Sequence, residues 1–325
     1  MKLARIFGLL FLFSFGFTIF VTQLSLPGSR GEHVRINVAS GESIQNISET
    51  LKEHGLITSA SAFRLYLKSR EIDTSIKTGT FVIERGMSFE EIADILVSGE
   101  GSETSVTIPE GFTIAQIDDL LAEMGLIETG EAVDCAKTCD FSSFEFLSGK
   151  SPEGYIFPDT YFVNALDFSP KNFLERLIGT FKNKVIDGLA EDLDSSKRSL
   201  KEVVIMASLI ERETSTNEER PVVSGILWKR YDAGRGLDVD ATVRYALNKP
   251  TGPLTKADLE STSPYNTRKF AGLPPGPIAN PGLASIRAAL NPEDSSYWYY
   301  LHGSDGQIYY AETNDEHNVN KAKYL

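Results

Sequence analysis

An α+β protein is what this sequence predicts: a single N-terminal transmembrane helix, a small α+β module and a larger mixed α+β domain. Three observations predict it. Residues 6–25 run uncharged behind Lys2 and Arg5. Three strand–turn–helix segments then share one plan. Beyond them, stretches of helical period alternate with Pro- and Gly-rich loops and end in an aromatic hairpin. The expected boundaries are residues 1–30 for the anchor and exit linker, 31–102 for the small module and 103–325 for the larger domain.

The first element follows from length. A helix over residues 6–25 would span roughly 30 Å, the thickness of a hydrocarbon core. The cations before it favour an inside N-terminus with the remainder exported. A cleaved signal peptide is the competing reading, but the apolar run is long and no A-x-A-like site follows. The expectation is therefore an uncleaved single-pass anchor, with the N-terminus inside and the rest of the chain exported.

The small module is read from repetition. Residues 38–57, 82–101 and 108–127 each pass from a β-branched stretch through a glycine turn into an amphipathic helix. Ser43, Ser88 and Thr113 stand where N-caps are expected, because a side-chain oxygen there accepts from the first free helix amides. Ile44, Ile47 and Leu51 recur at helical spacing, as do Phe89, Ile92 and Leu96 and then Ile114, Ile117 and Leu121. A helix over 61–70 and a strand over 78–84 lie between the first two. The plan resembles LysM-like modules, which bind N-acetylated glycans. The same pattern also describes a plain α+β spacer.

In the larger domain, residues 128–150 lose any clean period and read as a surface excursion. Residues 151–163 read as a strand pair near a cleft, and 172–193 as one long helix. The centre of the domain is the stretch 203–220. Residues 203–210 are apolar on nearly every face, so their helix must be enclosed by protein. Glu211 stacks over Ala207 and Ser208, small residues that leave room for a ligand. An apolar wall raises the cost of ionising a carboxyl group, which turns glutamic acid into a proton donor near neutral pH. The competing reading pairs Glu211 with Arg212, Arg220 or another base as the helix emerges. Further on, helices are expected over 221–232, from about Thr242 and over 283–290, with a hairpin around the turn at 304–306.

Bulk properties narrow the chemistry. A net charge of −13 argues against nucleic acid, whose phosphates need a basic surface. The four histidines lack metal-ligand spacing and no CxxC pair exists, so no metal and no cofactor are assigned. Cys135 and Cys139 either close one short loop or remain thiols. No GxSxG elbow, Ser-x-x-Lys pair, phosphate loop or GxGxxG is present. Carboxylate acid–base work is what remains, and sugar chains are its common substrate.

The segments 207–214 (ASLIERET), 151–161 (SPEGYIFPDTY), 263–268 (SPYNTR) and 272–282 (GLPPGPIANPG) resemble the endolytic murein transglycosylases, the MltG or YceG-like family. The resemblance covers roughly residues 35–325. It implies a membrane-anchored lyase that cuts the β-1,4 bond between N-acetylmuramic acid and N-acetylglucosamine in peptidoglycan. Such cleavage leaves 1,6-anhydro ends and limits nascent strand length. The implied partners are glycan strands and cell-wall polymerases (penicillin-binding proteins). Glu211 falls on the family's catalytic glutamate. Tyr265, Asn266, Thr267, Asp240, Glu153, Tyr155 and Ser208 are candidate substrate contacts, and Glu213 is read as structural. Residues 237–242 depart from the family pattern, with Asp238 and Ala241 where glutamine and proline are usual. Two alternatives stay open: a lysozyme-type hydrolase using Asp238 or Asp240, and a non-catalytic wall-binding scaffold.

Overall fold

The computed structural model describes residues 33–39, 41–98, 103–147, 151–165 and 168–325. These divide into two units, residues up to Val106 together with Tyr161–Phe168, and Thr107–Thr160 together with Ser169–Leu325.

The first unit begins with β1 (His33–Val38), α1 (Ile44–Glu53), α2 (Ala60–Ser69), β2 (Gly79–Glu84) and α3 (Phe89–Ser98). Strands β1 and β2 pair antiparallel, Val34 opposite Ile83 and Ile36 opposite Phe81. Alternation puts Ile36, Val38, Phe81 and Ile83 on one face, where the helices cover them with Ile47, Leu51, Phe63, Leu67, Phe89, Ile92 and Leu96. The expected caps form. The Ser43 hydroxyl accepts from Asn46 N–H, Ser88 exchanges bonds with Glu91, and in the second unit Thr113 accepts from Gln116 N–H. Ser59, not expected, caps α2 by accepting from Ala62 N–H. A second strand pair, β3 (Glu103–Thr107) with β4 (Thr160–Asn164), completes the strands before the hairpin.

The second unit is mainly helical. It contains α4 (Ile114–Glu123), α5 (Glu131–Thr138), a 3-10 turn (Glu145–Leu147), α6 (Pro170–Phe181), a π-helical turn (Lys182–Asp187) and α7 (Ala190–Ser195). Next come α8 (Leu200–Glu213), α9 (Glu219–Asp232), α10 (Asp240–Ala246), α11 (Lys256–Leu259) and α12 (Leu283–Leu290). The hairpin β5 (Tyr299–His302) and β6 (Ile308–Ala311) precedes α13 (Asn314–Tyr324). Helix α8 is the axis of the unit, with α9, α10 and α12 packed on it. Its residues 203–210 are all buried, as an all-round apolar helix requires. Ser199 and Glu202 form a capping box at its start.

Several expectations change. Residues 128–150 contain α5, with Ala132, Cys135 and Ala136 buried, and a disulfide joins Cys135 to Cys139. Helical period is hard to read there because α5 has only eight residues, about two turns. The expected helix over 172–193 breaks at Gly188, where a Cβ would meet the Lys184 carbonyl. Residues 151–163 contribute one strand rather than two.

The membrane-anchored topology, and with it the membrane as partner and the single-pass localisation, is corrected. No helix among the described residues is long and apolar enough to cross a membrane. The longest, α8 and α9, have 14 residues each, or roughly 21 Å against the roughly 30 Å a span needs. The expected span over 6–25 lies outside the described residues.

Candidate active site

Glu211 sits in the last turn of α8, its side chain only 6% exposed. Its surroundings are more polar than an apolar wall. Oε1 lies 3.4 Å from Nη2 of Arg220, and Oε2 accepts from the Gly282 N–H at 2.9 Å. The ion pair that the competing reading anticipated is present. Arg220 is itself fixed, because Nε donates to Ser285 Oγ at 3.0 Å and Nη1 to Asn217 Oδ1 at 2.7 Å. The carboxylate at the end of α8 is thus held from the start of α9 and from the entry to α12.

A second carboxyl stands beside it. Residues 110–112 lie along 280–282, with Gly111 N–H donating to Asn280 O and Asn280 N–H to Phe112 O, both at 2.9 Å. A Cβ on Gly111 would rest 3.5 Å from Glu211 Cγ, and a Cβ on Gly282 would collide with the carboxyl of Glu110. Glu110 and Glu211 therefore converge on Gly282. Burial first, and then the Glu211 charge, push the Glu110 carboxyl above the usual carboxylate range, while Arg220 opposes them. Sequence reasoning missed Glu110. The only signal was a carboxylate next to glycine in the turn before Thr113.

Glu153 forms a neighbouring centre. Its Oε1 accepts from Ile114 N–H at 3.1 Å and Asn280 Nδ2 at 2.9 Å, and Oε2 faces the Tyr245 hydroxyl at 3.5 Å. Burial outweighs these bonds and raises its pKa to about 7. Buried Asn280 uses its whole amide. Oδ1 accepts from Gly154 and Ile156 N–H, and Nδ2 donates to Phe112 O as well as Glu153. Glu153 and Tyr245 line two cavities. One of about 230 Å³ also holds Tyr155, Tyr265 and Pro277, and one of about 430 Å³ holds Gln116, Arg212, Arg244 and Lys249.

The candidate substrate contacts therefore separate. Glu153, Tyr155 and Tyr265 share a cavity wall. Ser208 is buried, donating to Ile205 O and accepting from Ile278 N–H. Asn266 is buried and donates to Leu259 O and Ser261 O, which ties its own loop. Thr267 is buried, its Oγ1 accepting from Val239 N–H. Asp240 is exposed and paired with Arg268 at 2.8 Å. Asp238, held at φ 57°, lies 3.9 Å from Arg230. Glu213 accepts from the Tyr300 hydroxyl at 2.8 Å and from Ala241 N–H, and burial raises it to about 7.

One carboxylate fixed by donors, with a second alongside on a rigid α+β frame, is an arrangement suited to acid–base chemistry. The chain belongs to the YceG-like family, whose sequence model matches residues 36–323. It is 32% identical over 309 residues to the endolytic murein transglycosylase of Bacillus subtilis (strain 168), covering 90% of this chain and 85% of that one. An endolytic murein transglycosylase of Streptococcus pneumoniae is 27% identical over 335 residues, covering 93% of this chain and 60% of that longer relative. The crystal structure of a yceG-like protein from Listeria monocytogenes superposes with a TM-score of 0.63 at 30% identity, covering 89% of this chain and 99% of that one.

Proposed function

We propose that this chain is an endolytic murein transglycosylase that cuts within peptidoglycan strands, with Glu211 at its reactive centre. The observation that carries the reading is the fixed Glu211 carboxylate, in a family whose relatives bear that activity in their names. Lytic cleavage of the β-1,4 bond between N-acetylmuramic acid and N-acetylglucosamine needs two proton transfers. One proton reaches the glycosidic oxygen as the bond to the anomeric carbon breaks. Another leaves the muramoyl 6-hydroxyl as its oxygen closes on that carbon. The product is a 1,6-anhydro end, and no water is consumed. In the simplest scheme one carboxyl serves both transfers. Residues 31–102, read as LysM-like, would add affinity for the same glycan.

Glu211→Gln removes the titrating group while keeping shape. Release of anhydro-ended fragments from purified sacculi is expected to fall by about 10²–10⁴-fold, the usual share of general acid–base catalysis. Wild-type release by this variant would end the assignment. Product mass tests the chemistry separately, because hydrolysis adds one water and lytic cleavage adds none. The hydrolase reading gains from the paired carboxyls of Glu110 and Glu211, and a product heavier by one water would favour it.

A further inference from the structure

A murein strand carries its peptide on the lactyl ether of the muramoyl sugar, and in lytic cleavage that sugar is the one whose anomeric carbon reacts. A chain that cuts there must find room for a peptide close to Glu211. The cavity of about 430 Å³ offers that room, and all of its lining belongs to the second unit. It begins one residue from the reactive carboxylate. A Cβ on Gly111 would rest 3.5 Å from Glu211 Cγ and 3.6 Å from Arg212 Nη1, so one backbone position touches both side chains. Arg212 then lines the cavity together with Arg244, Lys249 and Lys137. The charge of this lining runs against the rest of the chain. Four cations face two carboxyls, Asp119 and Glu153, in a protein of net charge −13. Burial holds Glu153 at about 7, so it bears only part of a charge near neutral pH. The smaller cavity across the shared Glu153 and Tyr245 wall is aromatic, with Lys201 its one cation, so the basic character is local.

The two lysines are already matched, Lys249 with Asp258 at 2.7 Å and Lys137, more loosely, with Asp134 at 3.7 Å. The two guanidiniums are not. Arg244 Nη1 donates to Gly252 O at 2.9 Å and Lys249 O at 3.5 Å, and Arg212 Nη1 donates to Gly111 O at 3.4 Å. Among the described residues neither arginine is paired with a carboxylate. Backbone carbonyls therefore aim these groups without cancelling their charge, and the planar fork of donors that remains matches a carboxylate. We propose that this cavity holds the peptide stem of the reacting muramoyl sugar, with Arg212 and Arg244 binding the stem's free carboxylates. This rests on the reading of the chain as a murein transglycosylase and narrows its substrate from a glycan to a glycan bearing an acidic peptide. Arg212 follows Glu211 directly in α8, so a stem held there also fixes the attached sugar against the reactive carboxylate.

The test uses the full chain and uncross-linked murein strands whose stem amines have been acetylated, in two forms: stem carboxylates left free, or converted to amides. Cleavage is followed as new anhydro ends, and kcat/KM is measured on each form. Wild type is expected to favour the free-carboxylate strands by about tenfold or more, the share of a hydrogen-bonded charge pair. Arg244→Gln should bring that ratio to within about threefold of unity, with the loss on the free-carboxylate form. Arg244→Lys keeps the charge but not the fork, so its ratio should fall between the two. Arg212→Gln should lower the ratio in the same way, and it carries the measurement if Arg244→Gln does not fold. Equal cleavage of both forms by wild type overturns the proposal. So does a folded arginine variant that is slower on both forms with the wild-type ratio intact, since that is the mark of a purely structural side chain. Failure of wild type to leave anhydro ends on either form would instead overturn the function on which the proposal rests.

Discussion

Asn280 shows how much can depend on one buried amide. It ties the backbone at Gly154 and Ile156 to that at Phe112 and fixes Glu153, two residues before the amide that holds Glu211. Asn280→Ala would leave several buried polar groups unpaired. A loss of at least about 3 kcal/mol is expected from such groups, read as a lowered midpoint in urea. Two other residues set a pH dependence. Glu153 and Glu213 have pKa values raised from 4.5 to about 7 by burial. A carboxyl raised in the folded state binds its proton more tightly there than in the unfolded chain. The stability it contributes is complete below the unfolded pKa and is lost as pH rises through about 7. Each shift corresponds to something on the order of 3 kcal/mol. Thermal midpoints measured between about pH 4.5 and pH 8 should therefore fall with rising pH, and Glu213→Gln should flatten that fall.

At the scale of elements, α8 determines where Glu211 stands, and both of its ends are specified locally. The capping box of Ser199 and Glu202 fixes the start, and Thr214 leaves the helix in extended conformation. Ser199→Ala is expected to cost about 1 kcal/mol, measured by denaturant unfolding, because one helix amide loses its acceptor. Helix α5 has a different support. The bond from Cys135 to Cys139 closes a loop of sequence separation 4, so it removes little unfolded-state entropy. Reduction is expected to lower stability by on the order of 2 kcal/mol or less, seen as a shift in melting temperature with and without a thiol reductant. A much larger loss would mean that α5 depends on the bond for its packing.

For the whole molecule, the first unit is closed by its own chain, since the core running from Ile36 to Leu96 draws on β1, β2 and three helices. Residues 31–102 expressed alone are expected to melt cooperatively, followed by far-ultraviolet circular dichroism. A gradual, non-cooperative melt would show that this core needs the rest of the chain.

The sequence by itself determined most of the elements and singled out one residue to watch. N-caps, helical period and turn glycines are local effects, so the helix over 283–290, the hairpin around Gly306 and the enclosed course of α8 were all legible in it. Glu211 drew notice as a carboxylate ending an apolar helix, and its catalytic role came from the resemblance of ASLIERET to the family motif. Only the tertiary structure decided what surrounds that carboxylate. Arg220, nine residues on, was a candidate partner from the sequence, but Gly282 and Glu110 reach it from two distant segments, and no pattern along the chain encodes that meeting in space. Tertiary structure likewise drew Ser208, Asn266 and Thr267 into the interior, because whether a polar side chain bonds its own backbone or faces a groove depends on which loops close over it.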